Sequence, residues 1–360
     1  KRGRILRKNK NIREMVSENK LHLENLIQPI FLISGKNKRE KINTMDGIDR
    51  KSIDLQIKDI KKMVSMGIKS VIIFPSIEEN KKNKNATEAL NPKGLIPNAI
   101  KEIKKQFPEL ILITDIALDP YNSDGHDGIL HNGKILNDKT VDILVKQAIL
   151  HAKSGADFVA PSDMMDGRIL KIRNNLDKEN FKYVGIISYA AKYCSSLYGP
   201  FRDALNSAPK SGDKKTYQIN PANSDEALKE VIEDEAEGAD MLMIKPAIFY
   251  LDIISKVKAN TYLPVVAYQV SGEYSMLICS SKNNIIDLDD AILESLLSIK
   301  RAGANLIISY FTSYIAKKGL IKAWNNHYNL VQIHLILLML CLLLFLKLSP
   351  LLKINIHKNT

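Results

Sequence analysis

A lysine at the end of an apolar run needs a chemical reason. The run MLMIKPA, residues 241–247, reads as a buried strand, and Lys245 stands near its end, just before Pro246. Burying an ammonium group without a partner is expensive. A second lysine, Lys192, lies in SYAAKYCSSLYGPFRDA, residues 188–204, just past the preceding apolar run. If these two runs are neighbouring strands, they lie about 4.8 Å apart. Like charges in a partly dry pocket push one amine towards its neutral, nucleophilic form. A neutral lysine attacks a ketone to form a Schiff base, so the pair implies two carbonyl substrates or one substrate held twice. The competing reading makes both of them surface lysines whose stems cover apolar area, which suits a lysine-rich chain.

Other residues suggest what surrounds the amines. From Gly199 to Asn220 the chain is polar and rich in Gly, Pro and Ser, as expected of a lid that excludes water. This stretch carries Arg202, Lys214 and Lys215, cations suited to a substrate carboxylate, unless it is simply a solvated loop. Ser271, in VSGEYSM, and Tyr310 also belong at the end of apolar runs, where either could instead satisfy local backbone groups. The loop DIALDPYNSDGHDG, residues 115–128, gathers Asp115, Asp119, Asp124, His126 and Asp127. Clustered carboxylates repel unless a cation or hydrogen bonds offset them. Their hard oxygens favour magnesium over zinc, and no thiolate is present for a Cys-type zinc centre. The alternative is a hydrated acidic turn shaped by Gly125 and Gly128. Glu230 reads as an ordinary charge on a helix face.

Eight apolar runs must position these groups: 26–33, 70–76, 110–117, 157–164, 184–190, 241–247, 264–270 and 305–311. They are nearly continuous, as expected of parallel strands covered on both faces. Segments of helical spacing separate them, for example 54–66, 140–153 and 225–237, and glycines such as Gly155 and Gly238 suit the helix stops. Eight β-then-α units predict an α/β fold of the TIM (β/α)8 barrel type, whose active sites gather at the C-terminal ends of the strands. A doubly wound sheet is disfavoured, since no G-x-G-x-x-G follows the first strand. Residues 1–25 read as an N-terminal arm that needs something to lie on, such as a neighbouring subunit. The catalytic barrel spans 26–321, with its lid at about 199–220.

Bulk properties narrow the function. With 45% hydrophobic and 26% charged residues in 360, a large core is expected. The net charge of +12 comes from scattered lysines rather than a basic face, which argues against nucleic acid as a partner. Three cysteines at uninformative spacings suit a reducing compartment, the cytoplasm. The basic start has no apolar h-region behind it, so it is no secretory signal, and the missing initiator Met suggests a processed or partial chain.

At RILRKN, DIALDPY…GHDG, APSDMMDG, SYAAKYCSSLYGPFRDA, MLMIKPA, AYQVSGEYSM and SIKRAGANLIISYF the chain resembles the delta-aminolevulinate dehydratase family, from about Arg2 to Leu320. The resemblance implies a lyase of porphyrin and haem biosynthesis. It would condense two molecules of 5-aminolevulinate into porphobilinogen, losing two waters, with Lys192 and Lys245 as Schiff-base lysines. Arg202 and Lys215 match contacts to one substrate carboxylate; Ser271 and Tyr310 match contacts to the other. Asp115, or Ser162 in the APS turn, is a candidate for proton transfer. Some members bind catalytic zinc through cysteines where this chain has Ala117, Asp119 and Asp127. The aspartate pattern implies magnesium, at an allosteric interface site matching Glu230 ahead of Asp119 and Asp127. It also implies an octamer in which the arm embraces a neighbour, and a plastid if the source bears one.

Residues 322–360 depart from that pattern, with LILLMLCLLLFL at 335–346. A span needs ~20 apolar residues, so a membrane anchor competes with a packed helix and an out-of-frame extension; the last is preferred, and a membrane is a partner only if the tail is real. Two rival functions remain. A class I aldolase would use one lysine, and a non-catalytic barrel would use none.

Overall fold

The computed structural model describes residues 1–321, so the readings of the tail lie outside the described residues. Eight parallel strands form the wall of a barrel: β1 (Leu26–Ile33), β2 (Ser70–Ser76), β3 (Ile111–Ile116), β4 (Phe158–Pro161), β5 (Gly185–Lys192), β6 (Met241–Lys245), β7 (Val265–Gln269) and β8 (Leu306–Ser309). Each pairs with the next in chain order, and β8 returns to β1 through Leu26 with Ile307 and Ile27 with Ile308. The runs are apolar throughout because one face of each strand fills the barrel and the other packs under helices. Ile30, Leu32, Val71, Ile73 and Leu112, for example, join Ile96, Ile100 and Ile103 of the helix Leu95–Gln106 in one buried cluster.

The helical periodicities at 54–66, 140–153 and 225–237 correspond to helices Ile53–Ser65, Asn137–Ser154 and Asp225–Ala236. Two short strands, Arg39–Lys41 and Asp49–Lys51, form a hairpin whose second strand pairs with the end of β1. The hairpin therefore stands beside the barrel mouth. Ahead of β1, residues 1–25 hold a turn at Gly3–Arg7 and a helix at Lys10–Met15, with Ile5, Leu6, Met15 and Val16 exposed. Among the described residues no helix is long and apolar enough to cross a membrane.

Candidate active site

The site begins with a register irregularity. β5 and β6 pair Leu242 with Ser188, but then Ile244 with Ala191 and Lys245 with Lys192. One extra residue has entered β5, a β-bulge. Its effect follows from the two-residue period of a strand. Ser188 faces outward, where its hydroxyl bonds Asp234 and Arg168 on the surrounding helices. In a regular strand Lys192, four residues on, would share that face. The inserted residue turns Lys192 into the barrel and brings it level with Lys245. Lys192 is thus the last residue of β5 rather than a residue beyond it. Both lysines line one cavity and both approach the ring of Tyr189, at 6.0 Å and 5.1 Å from its centroid.

Their surroundings differ. Lys192 Nζ donates to Asp127 Oδ2 at 3.0 Å and to the carbonyl of Ser162. Lys245 Nζ is surrounded by rings, lying 5.1, 5.0, 4.8 and 4.7 Å from the centroids of Tyr189, Tyr198, Phe201 and Tyr268. Burial, and after it the charge of Lys192, lower the Lys245 amine to about 7 against the opposing pull of Asp115, Asp127 and Asp119. Near neutral pH this amine is partly unprotonated, the condition for nucleophilic attack.

Three carboxylates complete the floor. Burial acts to raise the Asp127 carboxyl, but Lys192 and Lys214 overcome it and hold the group well below the usual range. Lys214 Nζ donates to Asp127 Oδ1 at 2.6 Å and lies 3.6 Å from Asp119. Asp115 is different: burial and then Asp119 raise it to about 7, with Lys245, Lys192 and Ser162 pulling the other way. One oxygen of Asp115 has no hydrogen-bond partner among the described residues. A buried carboxyl that titrates near 7 beside an amine that does the same can pass protons in either direction.

The segment 199–220, expected to act as a lid, packs over this floor through Phe201, Arg202, Lys214 and Gln218. Its helix Gly199–Leu205 places Phe201 over Lys245, edge-on to Phe74 at 5.1 Å. Arg50 of the hairpin donates to the carbonyls of Ala204 and Asp203 at 2.6 and 2.8 Å, and Thr44 bonds the Asp203 carboxylate at 2.7 Å. Further on, His126 lies 2.9 Å from the carbonyl of Ser211 and 3.1 Å from the Tyr217 hydroxyl. Gly125, at φ +74°, lets the acidic loop meet this segment, since a Cβ there would stand 2.3 Å from the Ala208 carbonyl oxygen. The space between floor and cover measures about 20 Å³, room for roughly one water.

The profile of the delta-aminolevulinic acid dehydratase family matches residues 1–318. The chain belongs to the delta-aminolevulinic acid dehydratase family. It is 48% identical over 318 residues to the enzyme of that name from Bradyrhizobium diazoefficiens, covering 88% of this chain and 90% of the relative. The chloroplastic Delta-aminolevulinic acid dehydratase 1 of Arabidopsis thaliana is 50% identical over 289 residues, 80% of this chain and 67% of the relative. The crystal structure of delta-aminolevulinic acid dehydratase (porphobilinogen synthase) from Toxoplasma gondii ME49, in complex with the reaction product porphobilinogen, superposes with a TM-score of 0.87. It is 46% identical and covers 88% of this chain and 91% of that one.

Within this family member the residues expected from sequence fall into four groups. Lys192, Lys245, Asp115, Asp119, Asp127, Ser162 and Arg202 all line the cavity. Lys215 does not. Its side chain is 75% exposed, with the ammonium 3.6 Å from Asp213, and the lid cation that reaches the floor is its neighbour Lys214. The structure brings Lys214, and not Lys215, to the floor: one position along an irregular loop reverses which side chain points inward. Ser271 and Tyr310 stand apart from that lining. The Ser271 hydroxyl accepts from Phe201 N at 2.9 Å, and the Tyr310 hydroxyl is 3.0 Å from that of Tyr268. Glu230 lies elsewhere, on a cavity of about 320 Å³ shared with Asp166, Glu226 and lid residues 215–219. Sequence reasoning passed over Gln218, which donates to Asp127 at 3.4 Å, and Phe201. Both lie in stretches already singled out for their charges, and neither residue type announces itself.

Proposed function

We propose that the chain is a porphobilinogen synthase, which condenses two molecules of 5-aminolevulinate into porphobilinogen with loss of two waters. The observation that carries this reading is the pair of amines standing level in one buried cavity. Neutral Lys245 attacks the ketone of one substrate; the C–N bond forms, the carbonyl oxygen leaves as water, and an imine remains. Lys192 holds the second substrate in the same way, after shedding its bond to Asp127. Two tethered substrates meet as if in one molecule, which removes much of the entropic barrier to C–C and C–N bond formation. Asp115, with Ser162 beside it, moves protons between these steps. Arg202 and Lys214 grip a substrate carboxylate from the lid. Ser271 and Tyr310 are assigned to the other carboxylate, with Ser271 exchanging its bond to the lid for one to substrate.

The family is metal-dependent. Among the described residues no three His, Cys, Asp or Glu side chains gather as a metal site. At Asp119 and Asp127 an ion does not fit, because two lysine amines already offset those charges. Glu230 suits magnesium better: burial raises its carboxyl, with Asp234, Glu233 and Asp166 adding to the effect against Arg168. A bound cation there would supply positive charge, and Glu230 and Asp166 would hold it. The exposed apolar residues of the arm support a homo-octamer in which each arm lies on a neighbour. Free Cys194 and Cys279 fit a reducing compartment, cytoplasm or plastid.

The test incubates the purified full chain with 5-aminolevulinate, with and without magnesium, and measures porphobilinogen by colour. Borohydride added with 5-aminolevulinate should label both Lys192 and Lys245. Labelling at one lysine only, with no porphobilinogen, would favour a class I aldolase and overturn the proposal.

A further inference from the structure

Glu273 is a buried carboxylate, 2% exposed, at the third position of the helix Ser271–Lys282. A carboxylate at this position ordinarily caps its own helix, and here Oε2 accepts from Val270 N at 2.6 Å. That task uses one oxygen. The other, Oε1, accepts from Ala247 N at 3.2 Å and Ile248 N at 2.5 Å. These amides lie two and three residues beyond Lys245. Among the described residues no lysine or arginine forms an ion pair with Glu273; burial raises its carboxyl to about 7 against the pull of the backbone amides that hold it.

Two neighbours extend the connection. A Cβ at Gly272 would stand 2.5 Å from the Leu197 carbonyl oxygen, so the helix start abuts the approach to the lid. Ser271 accepts from Phe201 N and donates to the Leu197 carbonyl at 3.3 Å. On its other side the Lys245 carbonyl accepts from Tyr193 N at 2.9 Å and the Tyr198 hydroxyl at 3.0 Å.

We infer that Glu273 is a positioning residue: it clips the backbone after β6 to the helix after β7, and thereby fixes where the Lys245 amine stands relative to Lys192. The inference rests on the proposed reaction and adds a residue that touches neither substrate. A misplacement of about 1 Å at a reacting group lowers rate by about 10²-fold.

Glu273→Asp is the discriminating variant. It keeps the charge and can still cap the helix, but withdraws the carboxylate by one methylene, about 1.5 Å, from Ala247 and Ile248. Glu273→Gln keeps the length and turns one oxygen into a donor. In the full-length protein we expect either variant to lower kcat about 10- to 100-fold with KM changed less than about threefold. Borohydride trapping with 5-aminolevulinate, read by peptide mass, should show the Lys245 to Lys192 labelling ratio falling at least about fivefold. An unchanged ratio, equal loss at both lysines, or insolubility of both variants would overturn the inference, the last because it makes Glu273 purely structural. A wild-type protein that neither labels at both lysines nor makes porphobilinogen would instead sink the proposed reaction, so the two failures are distinguishable.

Discussion

Lys192 and Lys245 share a residue type, a register and a cavity, yet each sits in opposite company. The Lys192 side is ionic, with Asp127, a carbonyl and Lys214 within reach of one another. The Lys245 side is aromatic, with four rings within 5.1 Å. Paired charges stabilise the ammonium form, whereas a shell of poorly hydrating rings penalises it through desolvation. Register brings the amines together and surroundings divide their work. The aromatic side supplies the ready nucleophile, and the ionic side supplies an amine released when substrate arrives.

The sharpest way to break this contrast is to remove each amine in turn. Lys245→Met and Lys192→Met should each lower turnover on the order of 10³-fold or more. Trapping should still label Lys192 in the first variant and Lys245 in the second; loss of both labels in either would show that the amines act as one group. Next in size, Asp115→Asn should reduce kcat by about 10²-fold or more, and unchanged turnover would exclude Asp115 as the proton carrier. The lid cations come third. Lys214→Ala should raise KM and lower kcat/KM by about 10- to 100-fold, because it removes a partner of Asp127 as well as a substrate contact, while Lys215→Ala stays within about twofold. Steady-state kinetics on the two variants decides between adjacent lysines.

The smallest effect is on stability. Lys245 has a folded pKa of about 7, below the 10.5 of an unfolded lysine. Between these values the unfolded chain binds the extra proton, so this group's contribution to stability rises with pH across that window and is least favourable at and below about 7. Lys245→Met removes the penalty. It should raise stability at pH 7 by on the order of 1–4 kcal/mol, with a smaller gain at pH 10, as read by thermal unfolding. A melting temperature lowered at both pH values would contradict the picture of a desolvated amine.

Much of the barrel was legible because strands covered on both faces leave long apolar runs, and Leu26–Ile33 or Ser70–Ser76 can be read almost residue for residue. Lys245 was legible for the same reason, as a charge interrupting such a run. The position of Lys192 was harder. Nothing in SYAAKY marks the inserted residue, because a bulge is defined by its partner strand and not by its own side chains. Lys214 and Lys215 were ambiguous since an irregular segment has no period to say which of two neighbours faces inward. Glu273 looked like part of a motif and nothing more; its second task depends on amides 25 and 26 residues earlier in the chain.

The space above the amines has room for roughly one water, and 5-aminolevulinate is several times larger. Admission and chemistry must therefore alternate in time. Phe201, wedged against Lys245, has to withdraw before a ketone can arrive and again before a pyrrole can depart. Thickening the solvent with glycerol would accordingly slow the catalytic cycle wherever those excursions set its pace.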